Sequence, residues 1–212
     1  MIRVLVVDDQ RLVRAGLRML IDSTDDIEVV GEGANGADAL RLAAELSPDV
    51  ILMDLRMPGL GGVDATRRIR GGGSLAKVLV LTTFDDDEHL YPALAAGAAG
   101  FLVKDTAPAE LLAAIRRVVD GDLPFSPALL RRLVDRAVDT GPEQDPVTDT
   151  AHALTPREGE VLALVGEGLS NQEIADRLHL GVSTVKSHVA NLMDKTGCDN
   201  RVRLALHAHR RG

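Results

Sequence analysis

Five short apolar runs recur through the first 120 residues, each separated from the next by a longer amphipathic stretch. The runs are Val4–Val7, Ile27–Val30, Val50–Met53, Val78–Leu81 and Gly100–Val103. All are rich in Val, Ile or Leu and too short for buried helices, so they read as strands. Between them, Ala37, Leu40 and Ala44 recur at intervals of three and four, as do Leu111, Ile115, Val118 and Val119. That is the period of one helix face.

Strands alternating with helices predict an α/β fold: a parallel five-stranded sheet covered on both faces. Right-handed crossovers leave few topologies, and the flavodoxin-like (βα)5 order 2-1-3-4-5 is one of them. The pattern stops at Asp139. The stretch from there to Ala153 carries two prolines, a glycine and several acids with no apolar period, and reads as a linker. Pro127–Val138 before it looks like a helix extending from the first domain. The domains are therefore expected at 1–120, with a helical extension and linker over 121–152 and an all-α four-helix domain over 153–212.

Helix signals are clear in the last segment. Thr155-Pro156-Arg157-Glu158 sets a cap, a first-turn proline and a capping-box glutamate in order. Ser170 and Glu173 repeat the capping-box spacing, and Gly168 stands where the preceding helix should stop. Val185, Val189, Leu192 and Met193 share one face of the third helix. Ser183, Lys186, Ser187, Ala190 and Asn191 share the other, a face suited to the major groove or, on its own merits, to water.

In a parallel α/β sheet, ligands bind beyond the carboxyl ends of the strands. Asp8 and Asp9 follow the first strand, Asp54 the third, Thr82 ends the fourth and Lys104 follows the fifth. With strands one and three adjacent, all five converge on one edge. Gathered carboxylates repel, and oxygen donors suit Mg²⁺. Asp54 could then attack phosphorus if a metal and Lys104 neutralised the developing charge. Helix capping is the plainer use of such acids, and Asp9 could cap the next helix, but capping leaves Thr82 and Lys104 unexplained.

The motifs VLVVDD, VILMDLRMPGLGG, VLVLTT and AGAAGFLVKD resemble, in order and spacing, the receiver domains of two-component response regulators. The resemblance implies that Asp54 accepts a phosphoryl group from a sensor histidine kinase. It implies that Asp9, Asp54 and the backbone carbonyl of Arg56 bind Mg²⁺, with Asp8 acting nearby. Lys104 would pair with one phosphoryl oxygen, and Thr82 would bond another and shift. Phe101 matches an aromatic switch position. It lacks the hydroxyl of the tyrosine often found there, so switching would rest on packing; core filling is the plain alternative. Asp105 follows Lys104 where many receivers carry proline.

The last segment resembles the helix-turn-helix domain of the LuxR and nitrate-response (NarL/FixJ) subfamily, through LTPRE, EVL, GLSNQEIA, TVKSHV and NRVRLA. This implies a recognition helix over 182–195, with Lys186, Ser187 and Ala190 at DNA-contact positions. Asn171, Thr184, Lys195 and Arg201 become phosphate contacts by the same analogy. Ala190 replaces a more polar residue and Gly181 a serine cap. Arg201–His209 resembles a dimerisation helix. The implied protein is a phosphorylation-dependent transcriptional regulator, not an enzyme, and a homodimer when phosphorylated, with double-stranded DNA as its target.

Three rival readings remain at this level. One is a regulator that binds DNA independently of phosphorylation, opposed by the complete set of five site residues. Another is a metal-dependent phosphohydrolase using Asp54, for which no general acid or base stands out. The third is a nucleotide-binding protein, because Gly31-Glu32-Gly33-Ala34-Asn35-Gly36 fits a dinucleotide fingerprint. That motif follows the second strand rather than the first, which favours a simple turn.

Composition fits this picture. The 212 residues are 45% hydrophobic and 26% charged, enough to bury a core. No apolar run reaches the roughly 18 residues of a membrane span. There is no signal-peptide layout at the start, and Cys198 stands alone. A cytoplasmic protein without a membrane role is expected. His207 and His209 lack clustered partners and are not expected to hold a metal. The net charge of −8 is uneven: eight Lys and Arg against seven acids from Ala151 onward, and 16 against 25 before it.

Overall fold

The computed structural model describes residues 1–82, 87–122, 154–198 and 201–211. Apart from Gly121 and Asp122, the expected helical extension and linker over 121–152 lies outside the described residues. Two compact units divide the chain, Met1–Asp120 and Gly121–Gly212.

The first unit alternates strictly: β1 (Ile2–Val7), α1 (Arg11–Ile21), β2 (Ile27–Gly33), α2 (Gly36–Leu46), β3 (Val50–Asp54), α3 (Gly62–Gly71), β4 (Lys77–Thr82), α4 (Asp87–Ala95), β5 (Gly100–Val103) and α5 (Pro108–Val119). Its strands form one sheet in the order β2-β1-β3-β4-β5, every pair parallel. This is the flavodoxin-like arrangement expected from the apolar runs.

Alternation along each strand divides the core. Val4 and Val6, Val50 and Leu52, Leu79 and Leu81, and Leu102 pack with Ile21 of α1 and with Leu111, Ile115 and Val118 of α5. The intervening Leu5, Ile51, Met53, Val80 and Phe101 are also buried and face the other side of the sheet. Burying each such side chain stabilises the fold by about 1.5–3 kcal/mol before entropy is counted. The central strand β3 is buried at every position, as a strand covered on both faces must be.

Register sets the sheet's carboxyl edge. Val7 pairs with Met53, so Asp8 and Asp54 follow side by side. Asp54 pairs with Leu81 and Thr82 with Val103, bringing Thr82 and Lys104 alongside.

The glycine fingerprint is largely strand, which narrows the expected turn to residues 34–36. Gly31 and Gly33 pair with Leu5 and Val7 in the ladder. A Cβ on Gly31 would lie 2.6 Å from Leu46, and one on Gly36 would lie 2.4 Å from the Leu60 carbonyl oxygen. The Gly36 N–H donates to that same carbonyl at 2.9 Å, and the Asn35 side chain caps α2 by accepting from the Asp38 N–H. These glycines serve close packing and leave no cradle of free amides for a pyrophosphate.

The second unit contains α6 (Pro156–Gly166), α7 (Asn171–Leu178), α8 (Val182–Thr196) and α9 (Arg201–Arg211). Both capping boxes form, Thr155 with Glu158 and Ser170 with Glu173. Gly168 has φ +84°, the left-handed geometry that lets the chain turn after α6. Val161, Val165, Ile174, Val185, Val189, Leu192 and Leu204 unite the four helices around one core.

Candidate functional site

At the carboxyl edge of the sheet, Asp8, Asp9 and Asp54 each place a carboxylate oxygen within 4.8 Å of the others. Asp8 and Asp54 are buried, whereas Asp9 is exposed. One Asp8 oxygen accepts from the Gln10 N–H at 2.9 Å. The other lies 2.7 Å from the Lys104 ammonium, which also sits 3.2 Å from Asp54. Thr82 is buried on the neighbouring strand end, and its carbonyl accepts from the Lys104 N–H at 2.7 Å. Thus the five residues drawn together by the sequence do share one edge.

Capping does not account for the acids. The N-cap of α1 is Gln10, without a side-chain cap bond, and Asp9 points its exposed carboxylate to the cluster instead.

Burial pushes the Asp54 carboxyl above its ordinary value; the Lys104 charge pulls against this and the Asp8 charge adds to it. A hydrogen bond from the Arg56 backbone N–H also favours the Asp54 carboxylate. Burial alone would lower the Lys104 pKa, but its contacts with Asp8 and Asp54 outweigh that and raise it. With three carboxylates and one ammonium, the cluster keeps two formal negative charges. Oxygen donors with that residual charge fit a hard divalent cation such as Mg²⁺.

Two neighbours were not evident in the sequence. Gly62 starts α3 so close to β3 that a Cβ would stand 2.1 Å from the Asp54 carbonyl oxygen. Its N–H donates to the Leu55 carbonyl at 3.0 Å, which closes the loop after Asp54. Arg14 of α1 donates to the Asp8 and Asp9 carbonyls at 2.7 and 3.3 Å. The glycine pair in PGLGG was a usable signal for the first; an arginine in an amphipathic helix gives none for the second. Phe101 is fully buried in β5, paired with Val80.

In the second unit, Ser183, Thr184, Ser187, Ala190 and Asn191 lie exposed along α8, with Lys186 half-buried beside them. Val185, Val189 and Leu192 face the core. The Gly181 N-cap makes no side-chain bond, as expected from the missing serine.

The placement of three residues does not support the phosphate contacts expected of them. Asn171 and Arg201 are buried. Arg201 donates to the Asn171 side-chain oxygen at 2.5 Å and to the Leu169 carbonyl at 2.7 Å. The Asn171 N–H donates to Asp122 at 3.1 Å. Lys195 holds both Glu158 oxygens at 2.7 Å. These polar groups tie helices together, a use that helix periodicity does not reveal.

Residues 4–116 match the family described as response regulator receiver domain, and residues 152–208 match the bacterial regulatory proteins of the luxR family. The chain belongs to the response regulators. This response regulator is 41% identical over 210 residues to the transcriptional regulatory protein LiaR of Bacillus subtilis, covering 99% of this chain and 98% of that one. It is 39% identical over 207 residues to the response regulator protein VraR of Staphylococcus epidermidis, covering 98% and 96%. Among solved structures it resembles the response regulator ChrA of a heme-sensing two-component system, at 36% identity and TM-score 0.56, over 99% and 96% of the chains. It also resembles RcsB, solved as two dimers bound to two parallel DNAs, at 25% identity and TM-score 0.57, over 98% and 96%.

A receiver joined to a LuxR-type helix-turn-helix domain makes the chain a two-component transcriptional regulator. That pairing implies a histidine kinase upstream and DNA downstream. Among the described residues, no helix is long and apolar enough to cross a membrane.

Proposed function

We propose that Asp54 is the phosphoryl acceptor of a phosphorylation-dependent DNA-binding switch acting in the cytoplasm. The observation that carries this reading is the buried Asp54 carboxylate, held within reach of Asp8, Asp9 and the Lys104 ammonium at the sheet edge. Asp9, Asp54 and the Arg56 carbonyl would hold Mg²⁺, with Asp8 beside them. When bound, that ion supplies charge neutralisation on the phosphoryl oxygens during transfer.

The Asp54 oxygen attacks phosphorus on a kinase phosphohistidine. The new O–P bond forms as the P–N bond breaks, and the imidazole leaves and takes up a proton. Lys104, now drawn to Asp8 and Asp54, stabilises one phosphoryl oxygen. The Thr82 hydroxyl bonds another. Because Phe101 has no hydroxyl and is fully buried, the response passes through packing around it. Dimerisation of the phosphorylated chain then sets two recognition helices on adjacent half-sites about one helical turn apart. Lys186, Ser187 and Ala190 meet base edges, and Thr184 meets phosphate. The chemistry is stoichiometric acceptance rather than turnover.

The test incubates the full chain with acetyl phosphate and Mg²⁺. Intact mass, sedimentation and DNA affinity are followed in the wild type and in Asp54→Ala. One phosphoryl group, a dimer and tighter DNA binding are expected for the wild type alone. An unmodified wild type, or equal modification of the variant, overturns the assignment.

A further inference from the structure

We infer that the Asp122 carboxylate is a built-in competitor for a DNA backbone phosphate at the N-terminus of α7. This rests on reading the helical unit as the DNA-binding part of the chain. Asp122 belongs to that unit, Gly121–Gly212. It precedes Asn171 by 49 residues, yet one of its oxygens accepts from the Asn171 N–H at 3.1 Å.

α7 begins at Asn171, with Ser170 as its N-cap. A helix leaves its first N–H groups without partners of its own, and its dipole favours negative charge there. Two of these donors are satisfied in different ways. The Ser170 hydroxyl accepts from the Glu173 N–H at 3.2 Å, a cap encoded within four residues. The Asn171 N–H instead takes an oxyanion from far along the chain. The Arg201 guanidinium lies 3.7 Å from the same Asp122 oxygen. Its bonds to the Asn171 side-chain oxygen and the Leu169 carbonyl hold it there independently of Asp122. Asp122 and Arg201 are each only 7% exposed, so this is a built contact and not a solvated surface pair.

Three residues, His179 to Gly181, join α7 to α8, and His179 turns the chain at φ +52°. That is the short turn of a helix-turn-helix. In this motif the second helix enters the major groove and the first crosses the sugar-phosphate backbone. Helix N-termini are among the groups that hold backbone phosphates, through N–H donors and the dipole. Asp122 presents the same chemistry as a phosphodiester: an anionic oxygen accepting from an N–H, with a cation beside it. The Asn171 N–H cannot serve both. DNA must displace Asp122 to use it, and a carboxylate left close by repels phosphate. Asp122 therefore holds DNA affinity below what the helical unit alone would give.

The test uses a duplex selected from a random-sequence pool by the wild-type chain treated with acetyl phosphate and Mg²⁺. Its affinity for the full, untreated chain is then read by fluorescence anisotropy. Asp122→Asn removes the charge and keeps the shape. Asp176→Asn removes an exposed charge from the same helix and is the reference. Corrected for the fraction folded, Asp122→Asn should bind about tenfold tighter than the wild type, the scale of one charge-assisted hydrogen bond. Asp176→Asn should gain less than about twofold, as a solvated charge does. Equal gains in the two variants would reduce the effect to net charge and overturn the inference. Unchanged or weaker binding by folded Asp122→Asn would also overturn it, leaving Asp122 a brace of the helical unit. If Asp122→Asn does not fold, the wild type still decides: the NMR resonance of the Asp122 carboxyl carbon should move when the duplex is added. A resonance that stays in place overturns the inference. A treated wild type that selects no duplex would instead strike the reading of this unit as DNA-binding.

Discussion

Lys104 lies closer to Asp8 than to Asp54, 2.7 Å against 3.2 Å. Its ammonium thus neutralises chiefly the acid beside Asp54. On the proposed reading, a cation held by Asp9 and Asp54 would share those carboxylates with it. Replacing Lys104 with Met should therefore have opposite effects on two measurements. Mg²⁺ affinity by calorimetry should rise about tenfold or more, the scale on which one adjacent charge shifts an ionisation. The rate of acetyl phosphate modification, followed by intact mass, should fall about a hundredfold, since a preplaced charge on the transferring oxygen is gone. A parallel fall in both would mean that Lys104 mainly holds the fold.

Gly62 and Gly16 lie in the same unit and should respond oppositely to alanine. A Cβ at Gly62 meets the Asp54 carbonyl at 2.1 Å, whereas one at Gly16 in α1 meets nothing within 4 Å. Gly62→Ala should cost about 1–3 kcal/mol through forced backbone movement. Gly16→Ala should stabilise by about 0.5–1 kcal/mol by lowering the freedom of the unfolded chain. Thermal melting checks both signs. Hydrogen exchange should place the Gly62→Ala loss at β3 and α3.

The contrast between those glycines marks what a linear chain reveals. Apolar runs located every strand, since a doubly covered strand needs nothing but apolar side chains. The end of β2 was missed by three residues, because Gly31 and Glu32 interrupt the run while their backbone still pairs with Leu5 and Val6. The edge that gathers Asp8, Asp54 and Lys104 was legible because parallel topology sends every strand's carboxyl end to one side. Arg14, Asn171, Lys195 and Arg201 were not, since these are polar types normally read as solvated. The partners of the last two lie far away in sequence: Glu158 for Lys195, at a separation of 37, and Asn171 for Arg201, at 30.

Glu158 carries a pH dependence whose sign is determined. Its bonds to Lys195 and to the Thr155 backbone and hydroxyl hold its pKa down at about 2, against an ordinary 4.5. A carboxyl lowered on folding contributes stability that is fully present above its unfolded value and is lost as pH falls through the folded one. The contribution should thus be complete above about 4.5 and gone near 2. Acid unfolding of the helical unit, followed by far-ultraviolet circular dichroism, should be shallower over that window in Glu158→Gln than in the wild type. The variant should also be less stable at neutral pH, where Lys195 loses its partner.

Variants at Arg201 and Lys186 should separate folding from the proposed recognition. Arg201 is buried against Asn171 and the Leu169 carbonyl. Truncation to Ala removes the cation 3.7 Å from the buried Asp122 carboxylate, as well as the donors to Asn171 and Leu169, at a cost of about 3 kcal/mol or more. Its loss should lower the melting temperature of the helical unit and weaken all DNA binding equally, through the fraction folded. Lys186 lies on the α8 face that carries Ser183, Ser187 and Ala190. Lys186→Ala should leave the melting temperature within about 0.5 kcal/mol of wild-type stability. It should still narrow the gap between operator and random DNA, by about 1–3 kcal/mol if the lysine reads a base. A uniform loss across sequences with a shallower salt slope would place Lys186 on the phosphate backbone instead. A melting shift in Lys186→Ala, or selective loss of operator binding in fully folded Arg201→Ala, would reverse the two roles.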